Sequence, residues 1–262
     1  MADTFAPQEL LALASEAALA AGDLLQERFG GVRDVHSKSS PTDLVSDADV
    51  TAQRAIRELI SAARPGDGFL AEEEGANIAG SSGLRWVVDP LDGTVNFLFG
   101  IPLWCVSIAV QDAAGTLAGV IYDPLRREAF AAVRGAELTI NGEPPSPARA
   151  RAASLDEALV ATGFAYDAKV RGAQAEVIKG LISAVRDIRR CGAAALDLAW
   201  TAAGRFDAFF ERTVKLWDTA AGTLLCECAG LEVHELVDRP GLPAGVLAAP
   251  PQFAAQLLEL VG

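Results

Sequence analysis

The stretch Trp86-Val-Val-Asp-Pro-Leu-Asp-Gly-Thr-Val-Asn-Phe97 decides how this chain is interpreted. Its apolar start, from Trp86 to Val88, predicts a buried strand, and two acids, Asp89 and Asp92, follow at the strand's end. Burying two carboxylates at such a place costs free energy unless a cation lies beside them. The stretch therefore predicts a cation site at the end of a strand.

Composition limits the classes of partner. The chain has 262 residues, 51% of them apolar, and a net charge of −13 at pH 7. Such a chain is typical of a globular protein, and its acidity argues against nucleic acid as a partner. The N-terminal segment lacks the basic start of a signal peptide, so we expect a cytoplasmic protein without membrane association. With two histidines and no C-x-x-C pair among four cysteines, a zinc site is not expected.

The first half of the chain predicts two helices and a mostly antiparallel sheet. Apolar residues at helical spacing predict helices over 8–29 and 47–63, separated by a loop or short hairpin over 32–43. Short apolar runs between turn signals predict the strands. These strands cover 68–71, 86–88, 104–111, 117–122 and 128–133.

The second half predicts alternating strands and helices. Composition changes at 141–147, Asn-Gly-Glu-Pro-Pro-Ser-Pro, which places a boundary between lobes at 1–143 and 144–262. Beyond it, strands are expected over 158–162, 187–190, 206–211, 232–236 and 245–248, and helices over 169–184, 194–203, 217–229 and 253–261. This alternation predicts an α/β lobe after an α+β lobe.

Acidic residues recur at the ends of predicted elements. Glu72 follows one strand, Asp89 and Asp92 follow the next, and Asp218 stands near a helix start. Oxygen ligands without histidine or cysteine favour Mg²⁺ or Mn²⁺, and several such acids suit a phosphoryl-transfer site. Asp218 and Asp49 could instead be only helix caps, and Glu72 part of a solvated acidic turn.

A second phosphatase mechanism shares part of the central stretch. Enzymes that form an aspartyl-phosphate carry D-x-D-G-T after a strand, and this chain has Asp92-Gly93-Thr94. However, Pro90 stands two residues before Asp92, where that motif requires an acid. The spacing therefore argues against an aspartyl-phosphate intermediate.

Four segments, in matching order, resemble the inositol monophosphatase family. Residues 86–97 resemble its W-x-x-D-P-x-D-G-T-x-N-F signature, and 69–73 resemble its G/A-E-E element. Residues 217–222 resemble W-D-x-A-A-G, followed by an E-A-G-like segment at 227–230. Residues 38–49 resemble the K-x-x-x-x-D-x-V…D segment, in which Lys38 is a candidate phosphate-facing residue.

The resemblance implies a layered αβαβα sandwich, usually a homodimer, that hydrolyses a small phosphomonoester by in-line attack of a metal-activated water. It implies roughly two or three Mg²⁺ ions per subunit, replaceable by Mn²⁺, and sensitivity to Li⁺. The implied metal ligands are Glu72, Asp89, the Leu91 carbonyl, Asp92 and Asp218. The implied catalytic residues are Glu72, Thr94 and Asp49, and the expected substrate contacts are Asp92, Gly93, Thr94, Gly192, Ala193, Ala194, Glu211 and Asp218.

Several substrates are compatible with this resemblance. myo-Inositol 1-phosphate is the first expectation, with histidinol phosphate and fructose 1,6-bisphosphate as alternatives on the same metal core. Ala193 replaces a Ser or Thr of the family, so one hydroxyl toward the substrate is missing. Candidate residues for a second phosphate are Arg189, Arg190, Arg205 and Arg212. The alternative of another class is a regulatory, partner-binding protein with little activity.

Overall fold

Five alternating layers of helix and sheet make up the described part of the chain. The computed structural model describes residues 6–31, 35–37, 44–73, 77–146 and 149–262. The helices are α1 (Pro7–Arg28), α2 (Asp47–Ala63), α3 (Thr94–Leu98), α4 (Ala168–Leu181), α5 (Ala194–Ala202), α6 (Leu216–Cys228) and α7 (Ala254–Val261). The strands are β1 (Val35–Ser37), β2 (Leu44–Ser46), β3 (Gly68–Ala71), β4 (Arg85–Asp92), β5 (Cys105–Asp112), β6 (Gly115–Asp123), β7 (Glu128–Val133), β8 (Thr139–Ile140), β9 (Leu159–Thr162), β10 (Asp187–Arg189), β11 (Ala208–Arg212), β12 (Glu232–Leu236) and β13 (Gly245–Ala249).

The first sheet has the strand order β3-β4-β5-β6-β7-β8. β3 and β4 are parallel, and each further pair of neighbours is antiparallel. α1 and α2 cover one face with an apolar core that includes Leu25, Ile56 and Trp86. A Cβ atom on Gly22 would lie 2.5 Å from the ring of Tyr122, so a glycine lets α1 lie directly on the sheet.

The second sheet has the order β10-β9-β11-β13-β12, in which β10, β9 and β11 are parallel. α5 and α6 fill the space between the two sheets. Their apolar core contains Leu198 and Leu225 together with Val87 of the first sheet and Phe209 of the second. α4 and α7 cover the outer face, where Leu257 is buried. The predicted αβαβα sandwich is therefore confirmed.

The strand that carries the two acids is longer than the apolar run predicted. β4 includes Asp89, Pro90 and Asp92, and its pairing with β5 shifts between Asp89 and Asp92. At this irregularity the Leu91 N–H donates to the Asp89 carboxylate at 3.0 Å, and Pro90 has no N–H to satisfy. Charge and proline therefore do not end the strand, because the irregular pairing accommodates both.

Other differences concern short elements and boundaries. β1 and β2 pair antiparallel, so the second strand of this pair lies at 44–46, beyond the predicted loop or hairpin over 32–43. Residues 32–34 and 38–43, including Lys38, lie outside the described residues. α3 and β8, of 5 and 2 residues, were not predicted because neither is long enough to show a period. The lobe boundary at 143/144 falls between β8 and β9 and stays a prediction. Within the described ranges, no helix has the length and apolar character needed to cross a membrane.

Asp207 holds the start of the second sheet together. Its fully buried carboxylate accepts hydrogen bonds from the N–H groups of Ala152 (2.8 Å) and Leu159 (2.9 Å) and pairs with Arg149 at 2.6 Å. Burial raises the pKa of Asp207, but the bonds from Arg149, Leu159 and Ala152 outweigh it, so the pKa lies below its ordinary value. A depressed pKa means that the ionised form stabilises the folded state.

We expect Asp207→Ala to lower the free energy of unfolding by about 3 kcal/mol at pH 7, because two N–H groups and a guanidinium lose their acceptor. Since the folded pKa is depressed, the difference from wild type is fully present above the unfolded value of about 3.9 and shrinks as the pH falls below it. Urea unfolding across this pH range measures both effects. Asp187→Ala removes an exposed carboxylate as a control, and a pH-independent difference for Asp207→Ala would contradict the assignment.

Candidate active site

The turn after β4 brings the central acids to the start of α3. Gly93 has a φ of 90°, in the left-handed region that favours glycine. A Cβ atom there would lie 2.9 Å from the Leu103 carbonyl oxygen. Gly93 therefore allows both the sharp turn and the close approach of Leu103, and α3 begins directly afterwards at Thr94.

Thr94 connects this turn to α2. Its hydroxyl oxygen lies 3.0 Å from an Asp49 carboxylate oxygen and 3.0 Å from the Leu91 carbonyl oxygen. Thr94 is buried and Asp49 is fully buried in the first turn of α2. Because a hydroxyl has one proton, it donates to one of these two acceptors at a time. Asp49 is thus more than a helix-capping acid, since it reaches the site from a different element.

Asp92 connects the same turn to α5. Its carboxylate accepts hydrogen bonds from the N–H groups of Ala194 (3.1 Å), Ala195 (2.8 Å) and Leu196 (3.3 Å). These are the first residues of α5, whose N–H groups have no partner within the helix. The Cys105 thiol also lies 3.5 Å from Asp92. Ala194 is a predicted substrate contact, and its N–H therefore donates a hydrogen bond to Asp92 in this structure.

Glu72 and Asp218 enter from two further elements. Glu72 follows β3, and the next residue, Glu73, donates its N–H to the Gln53 side chain of α2 at 3.0 Å. Asp218 is the third residue of α6, and its carboxylate accepts the Lys215 N–H at 2.6 Å. Asp218 therefore acts as a helix cap, and its electrostatics show that it also belongs to the cluster of acids.

We call Glu72, Asp89, Asp92 and Asp218 the acidic cluster. Burial raises the pKa of Asp89 well above its ordinary value, and the charges of the other three members raise it further. Burial raises the pKa of Asp92 to about 6. Hydrogen bonds from the N–H groups of α5 and from the Cys105 thiol lower this pKa, and the charge of Glu72 raises it. Burial raises the pKa of Asp218 to about 8, with Asp92 and Glu72 adding to the effect. Four acids from three segments of the chain thus repel one another, where Asp89 and Asp92 are buried and Glu72 and Asp218 are half-buried.

The acidic cluster fits a hard divalent cation. All of its donors are oxygens, and bringing a cation among them would relieve both the repulsion and the burial of charge. Within the residues described, no three histidine, cysteine, aspartate or glutamate side chains are already arranged as a metal cage. Asp92 and Asp218 each accept a hydrogen bond from a backbone N–H group. A metal ion would share these carboxylates with the helix termini.

The predicted substrate residues of the second half lie beside this cluster. Burial raises the pKa of Glu211, and the charges of Asp218 and Asp92 contribute, so Glu211 is close to the cluster. Gly192 has a φ of 90°. Ala193 as a whole is only 1% exposed, and its methyl carbon lies 3.1 Å from where a Cβ atom on Gly93 would be. Ala193 thus packs inside the protein, with its side chain and its main chain both covered.

The model of the Inositol monophosphatase family matches residues 6–261. The chain belongs to the inositol monophosphatase family. An inositol-1-monophosphatase from Mycobacterium bovis is 41% identical over 94% of this chain and 89% of its own length. The Nus factor SuhB of Xylella fastidiosa is 41% identical over 82% of this chain and 78% of its own length.

A solved structure supports the same assignment. The extragenic suppressor protein SuhB from Bartonella henselae superposes with a TM-score of 0.87, at 36% identity, over 97% of this chain and 98% of that chain. Membership of the inositol monophosphatase family confirms the predicted enzyme class, a phosphoric monoester hydrolase. The roles of the individual residues remain predictions.

Several residues that build the site carried no predicted role. Asn96 donates from its amide nitrogen to the carbonyls of Leu103 (2.7 Å) and Cys191 (2.8 Å), which ties α3 to the segment before α5. The Gln53 side chain accepts a hydrogen bond from the Glu73 N–H, and the Cys105 thiol lies against the Asp92 carboxylate. Asn96 belongs to the inositol monophosphatase signature, so its position was a usable signal. Gln53 and Cys105 gave none, because their partners are distant in sequence.

For the Thr94 hydroxyl, we expect Thr94→Val to lower kcat by about a hundredfold or more with little change in KM, because a group that orients a reacting proton acts mainly on turnover. Thr94→Ser keeps the hydroxyl and should remain within about tenfold of wild type. Steady-state kinetics of phosphate release measures both, with thermal unfolding to confirm folding. Equal activity of the two variants would remove the role assigned to the hydroxyl.

Proposed function

We propose that the protein is a Mg²⁺-dependent phosphomonoesterase that converts myo-inositol 1-phosphate to myo-inositol and phosphate. The observation that carries this proposal is the convergence of four carboxylates from three segments of the chain, in which the charges of the other three members act on the buried Asp89. A buried group of carboxylates with only oxygen donors is suited to Mg²⁺, and the names of relatives such as the M. bovis inositol-1-monophosphatase supply the substrate.

The residues proposed to hold Mg²⁺ are the acidic cluster and the Leu91 carbonyl. When bound, Mg²⁺ would lower the pKa of water and offset negative charge on the phosphate and the leaving oxygen. Mn²⁺ has the same preference for oxygen ligands and is a plausible substitute. We propose roughly two or three ions per subunit.

On the side of the attacking water, Thr94, Asp49 and Glu72 are the proposed catalytic residues. When Thr94 donates its proton to Asp49, the hydroxyl oxygen is left to accept a hydrogen bond from water. Glu72 would accept the proton that the water releases. The two residues would thereby orient the water for in-line attack on phosphorus, without a covalent intermediate.

On the substrate side, backbone and carboxylate groups would position the phosphate and the polyol. The N–H groups of Gly93 and Thr94 stand at the start of α3 and would bind phosphate oxygens. Hydroxyl groups of the polyol would donate to Glu211, Asp92 and Asp218. The main chain of Gly192, Ala193 and Ala194 would complete this wall of the site.

We expect Asp92→Asn to reduce turnover by about a hundredfold or more while the protein stays folded, because one side-chain oxygen still accepts an α5 N–H but the negative charge is lost. Phosphate release in the presence of Mg²⁺ measures turnover, and circular dichroism measures folding. Asp112→Asn is the matched control, since Asp112 lies at the opposite end of β5. Undiminished turnover in Asp92→Asn would rule out the proposed role of Asp92.

Metal binding can also be measured without substrate. We expect Mg²⁺ to raise the melting temperature of the wild-type protein, because a ligand that binds only the folded state stabilises it. Asp89→Asn should melt higher than wild type in EDTA, since one repelling charge is gone, and should gain much less from Mg²⁺. Differential scanning calorimetry with EDTA or Mg²⁺ gives all four values. An equal Mg²⁺ response in the two proteins would exclude Asp89 as a ligand.

The substrate can be ranked by kcat/KM. We expect myo-inositol 1-phosphate to have the highest kcat/KM in a panel that includes histidinol phosphate and fructose 1,6-bisphosphate.

A second candidate role, regulation through a protein partner, is favoured by the relative named Nus factor SuhB. Release of phosphate from none of these substrates, with folded protein and Mg²⁺ present, would favour that second role.

We also propose a homodimer, which light scattering can test.

A further inference from the structure

Asn96 is a buried side chain of the candidate active site to which the proposed mechanism gives no role. It is the third residue of α3 and is only 5% exposed. Its amide nitrogen donates to two carbonyl oxygens, that of Leu103 at 2.7 Å and that of Cys191 at 2.8 Å. An amide nitrogen carries two hydrogens, so neither is left for a substrate. Both donors of Asn96 therefore hold parts of the protein in place.

One of the two carbonyls lies on the phosphate side of the site. The Leu103 carbonyl oxygen is 2.9 Å from where a Cβ atom on Gly93 would be, so it covers the turn between β4 and α3. The N–H groups of Gly93 and Thr94 are the proposed phosphate contacts. The bond from Asn96 to Leu103 thus fixes α3 against the loop before β5, beside the place where phosphate would bind.

The other carbonyl belongs to the segment between β10 and α5. Cys191 directly precedes Gly192, a predicted substrate contact that is half-buried and has a φ of 90°. Neither residue belongs to a helix or strand, and among the described residues no backbone group of either one bonds another backbone group. The Asn96 nitrogen also lies beside Gly192, at 3.2 Å from where a Cβ atom there would be. Asn96 thus anchors this segment through a side-chain bond.

These two bonds matter because the proposed substrate spans both sides of the site. Its phosphate would lie at Gly93 and Thr94, and its hydroxyl groups at Glu211 and the main chain of Gly192. A misplacement of about 1 Å in a positioning segment can cost about a hundredfold in rate. Inorganic phosphate needs only one side, so its binding should not depend on the distance between the two.

We infer that Asn96 is a positioning residue that sets the distance between the phosphate contact at Gly93 and the hydroxyl contact at Gly192. It touches no substrate and acts through the carbonyls of Leu103 and Cys191, which join α3 to the segment before α5. The inference rests on the proposed phosphatase function and adds a residue to its substrate recognition.

Two ligands separate the two sides of the site. myo-Inositol 1-phosphate needs both sides, whereas inorganic phosphate, used as an inhibitor, needs the phosphate side alone. We expect Asn96→Ala to lower kcat/KM for myo-inositol 1-phosphate by about tenfold or more, and to leave the inhibition constant of inorganic phosphate within about twofold of wild type. Asn96→Leu keeps the approximate shape of the side chain without its donors, so it should show the same difference and serves if Asn96→Ala does not fold.

The anchoring of the segment can be measured without substrate. Hydrogen exchange followed by mass spectrometry should show faster exchange over 190–196 in Asn96→Ala than in wild type, because the side-chain anchor is gone. Asp207→Asn is the control, since it weakens the ion pair with Arg149 before β11, at the other end of that strand from Glu211. It should lower thermal stability while the kinetic constants and the exchange over 190–196 stay like those of wild type.

Three results would each overturn the inference and leave the proposed function standing. They are a wild-type kcat/KM in Asn96→Ala, a loss of phosphate inhibition parallel to the loss of kcat/KM, and wild-type exchange over 190–196. If wild type releases no phosphate from myo-inositol 1-phosphate in the presence of Mg²⁺, the proposed function fails and this inference fails with it.

Discussion

The carboxylate of Asp92 is the group on which the arrangement of this protein depends. It belongs to the first sheet, yet its oxygens accept the opening N–H groups of α5, a helix that packs against both sheets. Those N–H groups have no partner inside the helix, and the positive end of the helix dipole favours an anion there. One side chain therefore joins the two halves of the chain and places a charge where chemistry is proposed.

The same rule governs the other acids. Asp49 lies in the first turn of α2, Asp218 in the first turn of α6, and Asp89 bonds the N–H of Leu91 at an irregularity in β4. Helix starts and strand irregularities are places where backbone N–H groups lack partners. Locating acids there partly offsets the free energy of burying them. The remaining repulsion within the acidic cluster is sustained by the apolar packing of the five layers, and it is the property that would draw a divalent cation.

The structure also separates groups that look equivalent in sequence. Arg189 and Arg190 are neighbours, but one pairs with Asp187 and the other lies over Gly192 near Glu211. Ala193, at a position where the family has a hydroxyl, is buried and packed against Gly93, so the loss of that hydroxyl changes the interior. Roles of this kind depend on side-chain direction, which residue spacing does not specify.

The sequence by itself determined the layered fold and the acids of the candidate site. Helical and alternating periods depend on local geometry, so α2 and β12 were predicted with the boundaries that the structure shows. The signature around Asp89 and Asp92 has a spacing specific enough to indicate the family. Only the tertiary structure decided that β4 continues through Pro90, that Asp92 caps α5, and that Arg190 is the arginine beside Glu211. The contact of Asp92 with α5 joins residues 102 to 104 positions apart, and all three outcomes follow from the packing of layers rather than from any local pattern.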